Sequence, residues 1–299
     1  MKKSIIITGG SGQDGIILSK LLLSKNYSIH SFVNKKKLNK IPLVKYYYIN
    51  LLNYNLLTKI VKEIKPFAII HLASKNLAII NNENMKHKIF YKNNFLITKN
   101  LVKSIIENDK KIKFMSAGSS QMFKKTNGIV NENAKFKSTC YYSKYKIDAH
   151  NYIILMKKRF KLLATTMILF NHDSKYRNSK FLFPRLANYL KHKRIKRLKE
   201  IYQKNIFGDF SHADDICNGI FLLIKSNQNL NKIIFSSNKL LRLNDLIDFG
   251  LMKLKMNYDM PFVKVKIIKL IGNNNLAKKL LNWQPTKNSL SAFKDILRK

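Results

Sequence analysis

The chain has 299 residues, 45% of them hydrophobic, which suits one large α/β domain, or a large domain with a smaller one, around a sizeable core. Lys and Arg number 57 against 16 Asp and Glu, a formal charge of +41. No run reaches the roughly 18–20 apolar residues of a membrane-spanning helix, and two cysteines, Cys140 and Cys217, are too few for a disulfide framework or a metal site.

The chain opens with Met1-Lys2-Lys3 and an apolar run from Ser4 to Ile7. That start is superficially like an export signal. The run is short, however, and Thr8-Gly9-Gly10 ends it, so it reads as a first strand and the expected location is the cytoplasm. Helical spacing follows over 16–24 and a strand over 27–33. A helix at 56–64 precedes a strand at 68–72. Next come a helix at 95–107, a strand at 112–116, a long helix at 142–159 and a strand at 164–170. Strands that alternate with helices imply parallel βαβ units in a doubly wound sheet. Beyond Asn171 the alternation loosens.

The charge admits two readings. One is a polyanionic partner, such as nucleic acid or an acidic membrane surface. The other is compositional: the cations are mostly Lys and are spread along the whole chain, as an AT-rich genome produces. Only 191–199 forms a dense basic run, on a helix-like stretch. The compositional reading is preferred, and no specific nucleic acid is expected.

The strongest motif is Thr8-Gly9-Gly10-Ser11-Gly12-Gln13-Asp14-Gly15, with G-x-x-G-x-x-G at Gly9, Gly12 and Gly15. It follows a strand and opens a helix, the context in which glycines let the backbone approach a pyrophosphate and a helix N-terminus faces it. The expected fold is therefore α/β: a Rossmann-type doubly wound parallel sheet with a smaller C-terminal substrate-binding part. Residues 1–170 form the NAD(P)-binding domain. Residues 171–299 are mainly substrate-binding, with 206–223 returning to the main fold. After the second strand stand Val33, Asn34 and Lys35. A carboxylate there would bind the ribose of NAD. Its absence, with cations following, favours NADP, with NAD possible.

Tyr142 and Lys146 lie four apart on the long helix and share a face. An ammonium beside a phenol stabilises the phenolate, so Lys146 is expected to lower the pKa of Tyr142 and fit it to remove a hydroxyl proton. Upstream, Ser116-Ala117-Gly118-Ser119-Ser120 offers hydroxyls at a strand end. His71 at the end of the 68–72 strand and Trp283 are read as structural, and His212 as fixing a loop.

With these motifs in place, the chain resembles the extended short-chain dehydrogenase/reductases, and among them the GDP-mannose 4,6-dehydratase family. The resemblance rests on Gly12-Gln13-Asp14-Gly15 and on Phe170-Asn171-His172-Asp173-Ser174, which is similar to the family's FNHES segment. It also rests on Asp209-Phe210-Ser211-His212-Ala213-Asp214-Asp215, similar to DWGHAKD, and on Leu281-Asn282-Trp283-Gln284-Pro285, similar to a closing LGWxP. The family passes hydride from sugar C4 to NADP, loses water across C5 and C6, and returns hydride to C6. The resemblance implies Tyr142 as base, Lys146 as its activator and Ser119 as hydroxyl donor, where the family has Thr. Gly9, Gly12, Gln13, Asp14, Gly15, Asn34, Lys35, Asn50 and Leu51, with Tyr142 and Lys146, are expected at the cofactor. Asn171, His172 and Arg185 are expected near a nucleotide-sugar substrate, although His172 is equally readable as structural. Asn94 resembles the family's helix-start Asn. A homodimer or higher homo-oligomer is expected.

Three positions depart from the pattern. Gln121 stands where the family has the Glu that takes the C5 proton, Gly208 where it has Arg, and Asn50 where an Asp often contacts adenine. Chemistry at C4 alone tolerates Gln121, so a 4-keto reductase or an epimerase is the alternative. A non-catalytic nucleotide or nucleic-acid binder is the third reading.

Overall fold

Ile5, Ile6 and Ile7 are fully buried in succession, as a strand covered on both faces demands. The computed structural model describes residues 2–34, 40–74, 85–123, 128–261 and 269–299. In chain order the first half comprises β1 (Ser4–Thr8), α1 (Gln13–Ser24), β2 (Ser28–Val33), β3 (Val44–Tyr48), α2 (Tyr54–Ile64), β4 (Ala68–His71), α3 (Met85–Asn108), β5 (Lys113–Ala117), a 3-10 turn at Ser120–Met122, β6 (Gly128–Val130) and α4 (Tyr141–Phe160). The second half comprises β7 (Ala164–Leu169), β8 (Asn171–Asp173), α5 (Leu182–Lys191), α6 (Ile195–Tyr202), β9 (Phe207–His212), α7 (Ala213–Lys225), β10 (Lys232–Phe235), β11 (Leu240–Arg242), α8 (Leu243–Lys253), β12 (Leu270–Gly272), α9 (Asn275–Leu281) and α10 (Ser289–Arg298).

Seven of the described strands form one sheet in the order β10-β7-β5-β4-β1-β2-β3, all pairs parallel. Successive side chains along a strand face opposite sides. Ile5 and Ile7 accordingly pack with α1, α7 and Trp283, and Ile6 with residues of α2, α3 and α4. This is the doubly wound α/β fold expected from the alternation. The strand order reverses between β1 and β4, which places a crevice at their carboxyl ends.

Residues after 171 build a second core from α5, α6, α8 and α10 around Phe183, Phe210 and Phe293. Two small sheets accompany it, β11-β9-β8 and β12-β6. β10 lies beyond the 206–223 stretch yet completes the main sheet beside β7. Two features differ from the sequence expectation. β3 was not anticipated: it is an edge strand whose residues are half-buried or exposed, with no clean alternation. α3 begins at Met85, not 95, so Asn94 sits inside the helix and not at its start.

Trp283 closes the fold. It is fully buried, its ring centroid lies 5.0 Å from that of Phe235 at 82°, and Nε1 donates to the Asp215 carbonyl at 2.9 Å. The Asp215 carboxylate accepts from Thr286 Oγ1 and the Lys287 N–H, each at 2.8 Å. The segment after α9 is thereby pinned to α7. Trp283→Ala removes both the packing and the hydrogen bond and is expected to lower stability by about 3–5 kcal/mol. Chemical denaturation checks this, and a loss under about 1 kcal/mol would show that the tail contributes little.

Candidate active site

β1 ends at Thr8 and the chain turns at Gly9, with φ of +75°. A Cβ at Gly9 would stand 2.9 Å from the Ala73 backbone, and one at Gly15 would stand 2.5 Å from Gly10 Cα. Only glycine permits this turn to lie against both β4's continuation and α1. Gly12 caps α1 without a side chain, so the first-turn N–H groups and the positive end of the helix open toward the crevice. A cleft of about 650 Å³ runs from Gly9 and Gly12 past Phe32, Asn34, Asn50 and Leu51.

These residues fit a dinucleotide: a cradle without room for a Cβ, an open helix N-terminus and an apolar slot beyond. Asn34 lines the slot at the end of β2, where there is no carboxylate. Lys35 lies outside the described residues. Asn50 folds its side chain back to accept the Leu52 N–H at 3.1 Å.

Four of the expected residues converge at the carboxyl end of β5. Ser119 caps the 3-10 turn, its Oγ accepting the Gln121 N–H at 3.2 Å. Tyr142, second residue of α4, shares a hydrogen bond with the Ser119 side chain. Lys146, one turn on, donates from Nζ to the Ala117 carbonyl at 2.7 Å, with Nζ 5.7 Å from the centroid of the Tyr142 ring. Gln121 meets Cys140, whose thiol donates to Oε1 at 3.9 Å.

The electrostatics correct one expectation. Burial pushes Tyr142 above the ordinary tyrosine value, although the Ser119 hydrogen bond and the Arg177 charge oppose it. Lys146 does not reverse this. Its ammonium is turned to a carbonyl, and burial pushes Lys146 itself down to about 7. Desolvation favours the neutral form of both groups.

His71 lies between Thr8 and Thr98, at 2.8 Å from Nδ1 and 3.2 Å from Nε2. Burial, with the Lys146 charge adding, pushes it down to about 3, so the ring is neutral. Thr98 Oγ1 donates to the Asn94 carbonyl and is left to accept from Nε2–H. Thr8 Oγ1 accepts the Ala73 N–H and is left to donate to Nδ1. His71 thus braces β1, β4 and α3.

Gln13 and Asp14 turn toward β8. His172 Nε2 lies 3.0 Å from both Asp14 oxygens, and its Nδ1 lies 2.6 Å from the Phe170 carbonyl. Both ring nitrogens face acceptors, so His172 is an imidazolium. Burial pushes it down, but the Asp14 charge and hydrogen bond carry it above the usual histidine value. Burial likewise pushes Asp14 up, yet the His172 imidazolium, the Arg177 charge and a Gln13 hydrogen bond draw it down to about 2. Ser174 Oγ donates to Gln13 Oε1 at 2.9 Å. Asn171, exposed at the head of β8, donates to the Asp209 carbonyl at 3.5 Å. Arg185 is half-buried on α5, with Nε buried and unpartnered. No hydrogen bond or ion pair among the described residues links Asn171 or Arg185 to Ser119, Tyr142 or Lys146.

The family model for GDP-mannose 4,6 dehydratase matches residues 6–296. The chain belongs to the GDP-mannose 4,6-dehydratase family. GDP-mannose 4,6 dehydratase 2 of Arabidopsis thaliana is 23% identical to it, covering 95% of this chain and 83% of the relative. The GDP-mannose 4,6-dehydratase of Vibrio cholerae is 26% identical over 76% of this chain and 66% of the relative. Among solved structures, dTDP-glucose 4,6-dehydratase from Bacillus anthracis in complex with NAD superposes with a TM-score of 0.83, at 16% identity, covering 99% of this chain and 96% of that one. UDP-glucose 4-epimerase from Thermotoga maritima with UDP-glucose gives 0.82, at 15% identity, covering 99% and 97%.

Membership of the GDP-mannose 4,6-dehydratase family sharpens what the sequence reading missed. Cys140 caps α4, accepting the Ser143 N–H at 3.5 Å, and touches Gln121. The sequence reading took it only as one of two cysteines too few for a disulfide framework or a metal site. Arg177 lines a second pocket that adjoins the cleft and shares Gly9 and Gly12 of the glycine turn with it. It was lost among many cations, though an Arg in a loop beyond a strand's carboxyl end is a signal in such sheets.

The Asp14–His172 pair makes a stability prediction. The folded pKa of Asp14 is depressed, so its contribution is present above the ordinary value near 4 and lost as pH falls through about 2. Asp14→Asn is expected to cost about 2 kcal/mol at neutral pH. That gap should narrow in urea titrations from about pH 4 downward, and again as pH rises through the elevated pKa of His172. A gap independent of pH would contradict the pairing.

Proposed function

We propose that the protein is a nucleotide-sugar-modifying enzyme that oxidises C4 of a hexose through NADP, with GDP-mannose as substrate and dehydration to the 4-keto-6-deoxy sugar as outcome. The observation that carries this reading is the convergence of Ser119, Tyr142 and Lys146 beside the glycine-turn cleft. Family membership supports it. The bound cofactor supplies a hydride acceptor at its nicotinamide. Gly9, Gly12, Gly15 and the first turn of α1 hold its phosphates, and Asn34, Asn50 and Leu51 flank its adenosine end. The absence of a carboxylate at the end of β2 favours NADP over NAD.

On this reading Tyr142 takes the proton from the C4 hydroxyl. Ser119 holds the reacting oxygen through its hydroxyl, and Lys146 fixes the corner through Ala117. Asn171 and Arg185 approach the nucleotide sugar, and the working form is a homo-oligomer in the cytoplasm. Tyr142→Phe is expected to lower hydride transfer about 100-fold or more while leaving NADPH affinity essentially unchanged. Equal loss of binding and rate would remove Tyr142 from the role of base.

Gln121 supports a second reading, 4-keto reduction or epimerisation. An amide cannot take a carbon-bound proton, and no carboxylate stands at this position. Mass spectrometry after incubation with NADP and GDP-mannose separates the two. Loss of one water selects dehydration. An unchanged substrate, with NADPH oxidised by a 4-keto-6-deoxy sugar, selects reduction, and an isomer of equal mass selects epimerisation. If the second reading holds, Gln121→Glu is expected to introduce water loss. No redox change with any nucleotide hexose would overturn both.

A further inference from the structure

Two helices of the second core end side by side. α5 and α8 pack so closely that a Cβ at Gly250 would stand 2.3 Å from Leu190 Cδ1. α5 stops at Lys191 and α8 at Lys253. Each chain then turns through a lysine in the left-handed region, Lys193 with φ of +49° and Lys255 with φ of +52°. α6 begins at the same corner. At its far end the Tyr202 hydroxyl donates to Asp248 and the Tyr202 carbonyl accepts from Asn244, both at 3.1 Å, so α6 runs back along α8.

The corner is basic and partly apolar. Lys191, Lys193, Arg194, Lys196, Lys253 and Lys255 are exposed, and none of them has an ion-pair partner among the described residues. Neither 191–196 nor 252–255 contains a carboxylate. Met252 is 70% exposed and Leu254 38%, and they alternate with Lys253 and Lys255. Leu251 and Met256 on either side pack into the second core, so the segment is anchored while Met252 and Leu254 stand out from it. A cation in the last turn complements a helix dipole, which accounts for Lys191 and Lys253. A Lys-rich composition accounts for further lysines one at a time. Neither explains two exposed aliphatic side chains set among six cations where no carboxylate stands.

We propose that this corner docks the protein on the surface of an anionic lipid bilayer. Ammonium and guanidinium groups are drawn to lipid phosphates, and aliphatic side chains between them bury at the boundary of headgroups and acyl chains. Nucleic acid offers the same charge, but Met252 and Leu254 gain nothing from a phosphate backbone. Neither segment has a Phe, Tyr or Trp on which a base could stack. A second copy of the chain, docked through the same corner, would set these cations against their own kind.

Co-sedimentation with vesicles of phosphatidylcholine, alone or mixed with phosphatidylglycerol, tests the proposal. Wild type is expected to bind the mixed vesicles and not phosphatidylcholine alone. Lys193→Gln/Lys196→Gln/Lys255→Gln should weaken that binding about ten-fold or more. Lys2→Gln/Lys62→Gln/Lys111→Gln removes the same charge from exposed lysines elsewhere and should weaken it far less. Met252→Ser/Leu254→Ser keeps every charge and should also weaken binding, by about ten-fold. Thermal unfolding verifies that each variant is folded. A wild type that ignores the mixed vesicles overturns the proposal. Equal losses from the two lysine variants overturn it as diffuse attraction, and so does unchanged binding by Met252→Ser/Leu254→Ser. Tighter binding to a short RNA duplex than to vesicles, lost only in Lys193→Gln/Lys196→Gln/Lys255→Gln, assigns the corner to nucleic acid and overturns it. A changed oligomeric state of Met252→Ser/Leu254→Ser in sedimentation overturns it by assigning the corner to a second copy.

Discussion

Asp14 and His172 meet at 3.0 Å where the glycine turn and the strand after β7 come together, and the shape of the cleft depends on that contact. The pair is largely buried, and a buried charge left without its partner is strongly destabilising. His172 cannot turn away without stranding an N–H against Asp14 or against the Phe170 carbonyl. Gln13 and Ser174 add a neutral link beside it. The start of α1 and the loop from 173 to 181 are thereby one unit, although 158 residues separate Asp14 from His172. Phe181 and Arg177 inherit their positions from it.

The charge balance explains how the few carboxylates are used. Where only 16 acidic residues face 57 basic ones, an acid in the interior is held by donors that would otherwise go unsatisfied. Asp209 accepts from Ser237 N, Ser237 Oγ, Asn238 N and Gly272 N, joining β9 to the segments after β10 and at β12. Asp215 gathers the tail after Trp283. Glu132 accepts the Ile234 N–H. The lysines serve the opposite groups. Lys157 Nζ donates to the carbonyls of Ala164, Asn229 and Leu230, and Lys113 Nζ to those of Ile224 and Ser226. A long stem with a three-donor head reaches carbonyls at element ends without an acid nearby. Among the described residues, the fold therefore accommodates a Lys-rich composition without a matching population of ion pairs.

The sheet was legible because its strands are buried on both faces: Ile5-Ile6-Ile7 and the run at 68–70 are continuous apolar stretches between helices. β3 was not legible, since Lys45 and three tyrosines carry neither a continuous run nor an alternation on a sheet edge. The start of α3 lies in Lys- and Asn-rich sequence whose helical state comes from packing on α4, where Tyr91 accepts the Tyr145 N–H at 2.8 Å. Within the candidate site, Gly9, Gly12, Tyr142 and Lys146 could be read because spacing along one element places them. The Asp14–His172 pair and Arg177 could not, because sequence periodicity carries no information about contacts between distant loops. The direction of the Tyr142 shift was misread for a related reason. Helical spacing brings an ammonium near a ring, but it does not say that the ammonium will turn to Ala117 or that burial will outweigh its charge.

Oxidation at C4 and elimination across C5 and C6 make different demands on the same corner. On the proposed reading, the first needs a hydroxyl-bound proton to move to a group already in hydrogen-bond range, and Ser119 with Tyr142 provides that path. Burial disfavours both the phenolate and the ammonium, so the pair is best suited to a concerted transfer in which the phenol never carries a free charge for long. The second needs a group that accepts a carbon-bound proton and returns it to a departing hydroxyl. Gln121 has an oxygen and an amide at the right place on the chain but no exchangeable acid–base state in the working range. The ionisable side chain it touches is the Cys140 thiol, whose sulfur is also committed to capping α4. Asn50 lines the cleft, whereas Gly208 lies on β9 against the Phe210 ring. On the proposed reading Gln121 stands where elimination needs a proton carrier, and the choice between dehydration and simple C4 chemistry therefore turns on this residue.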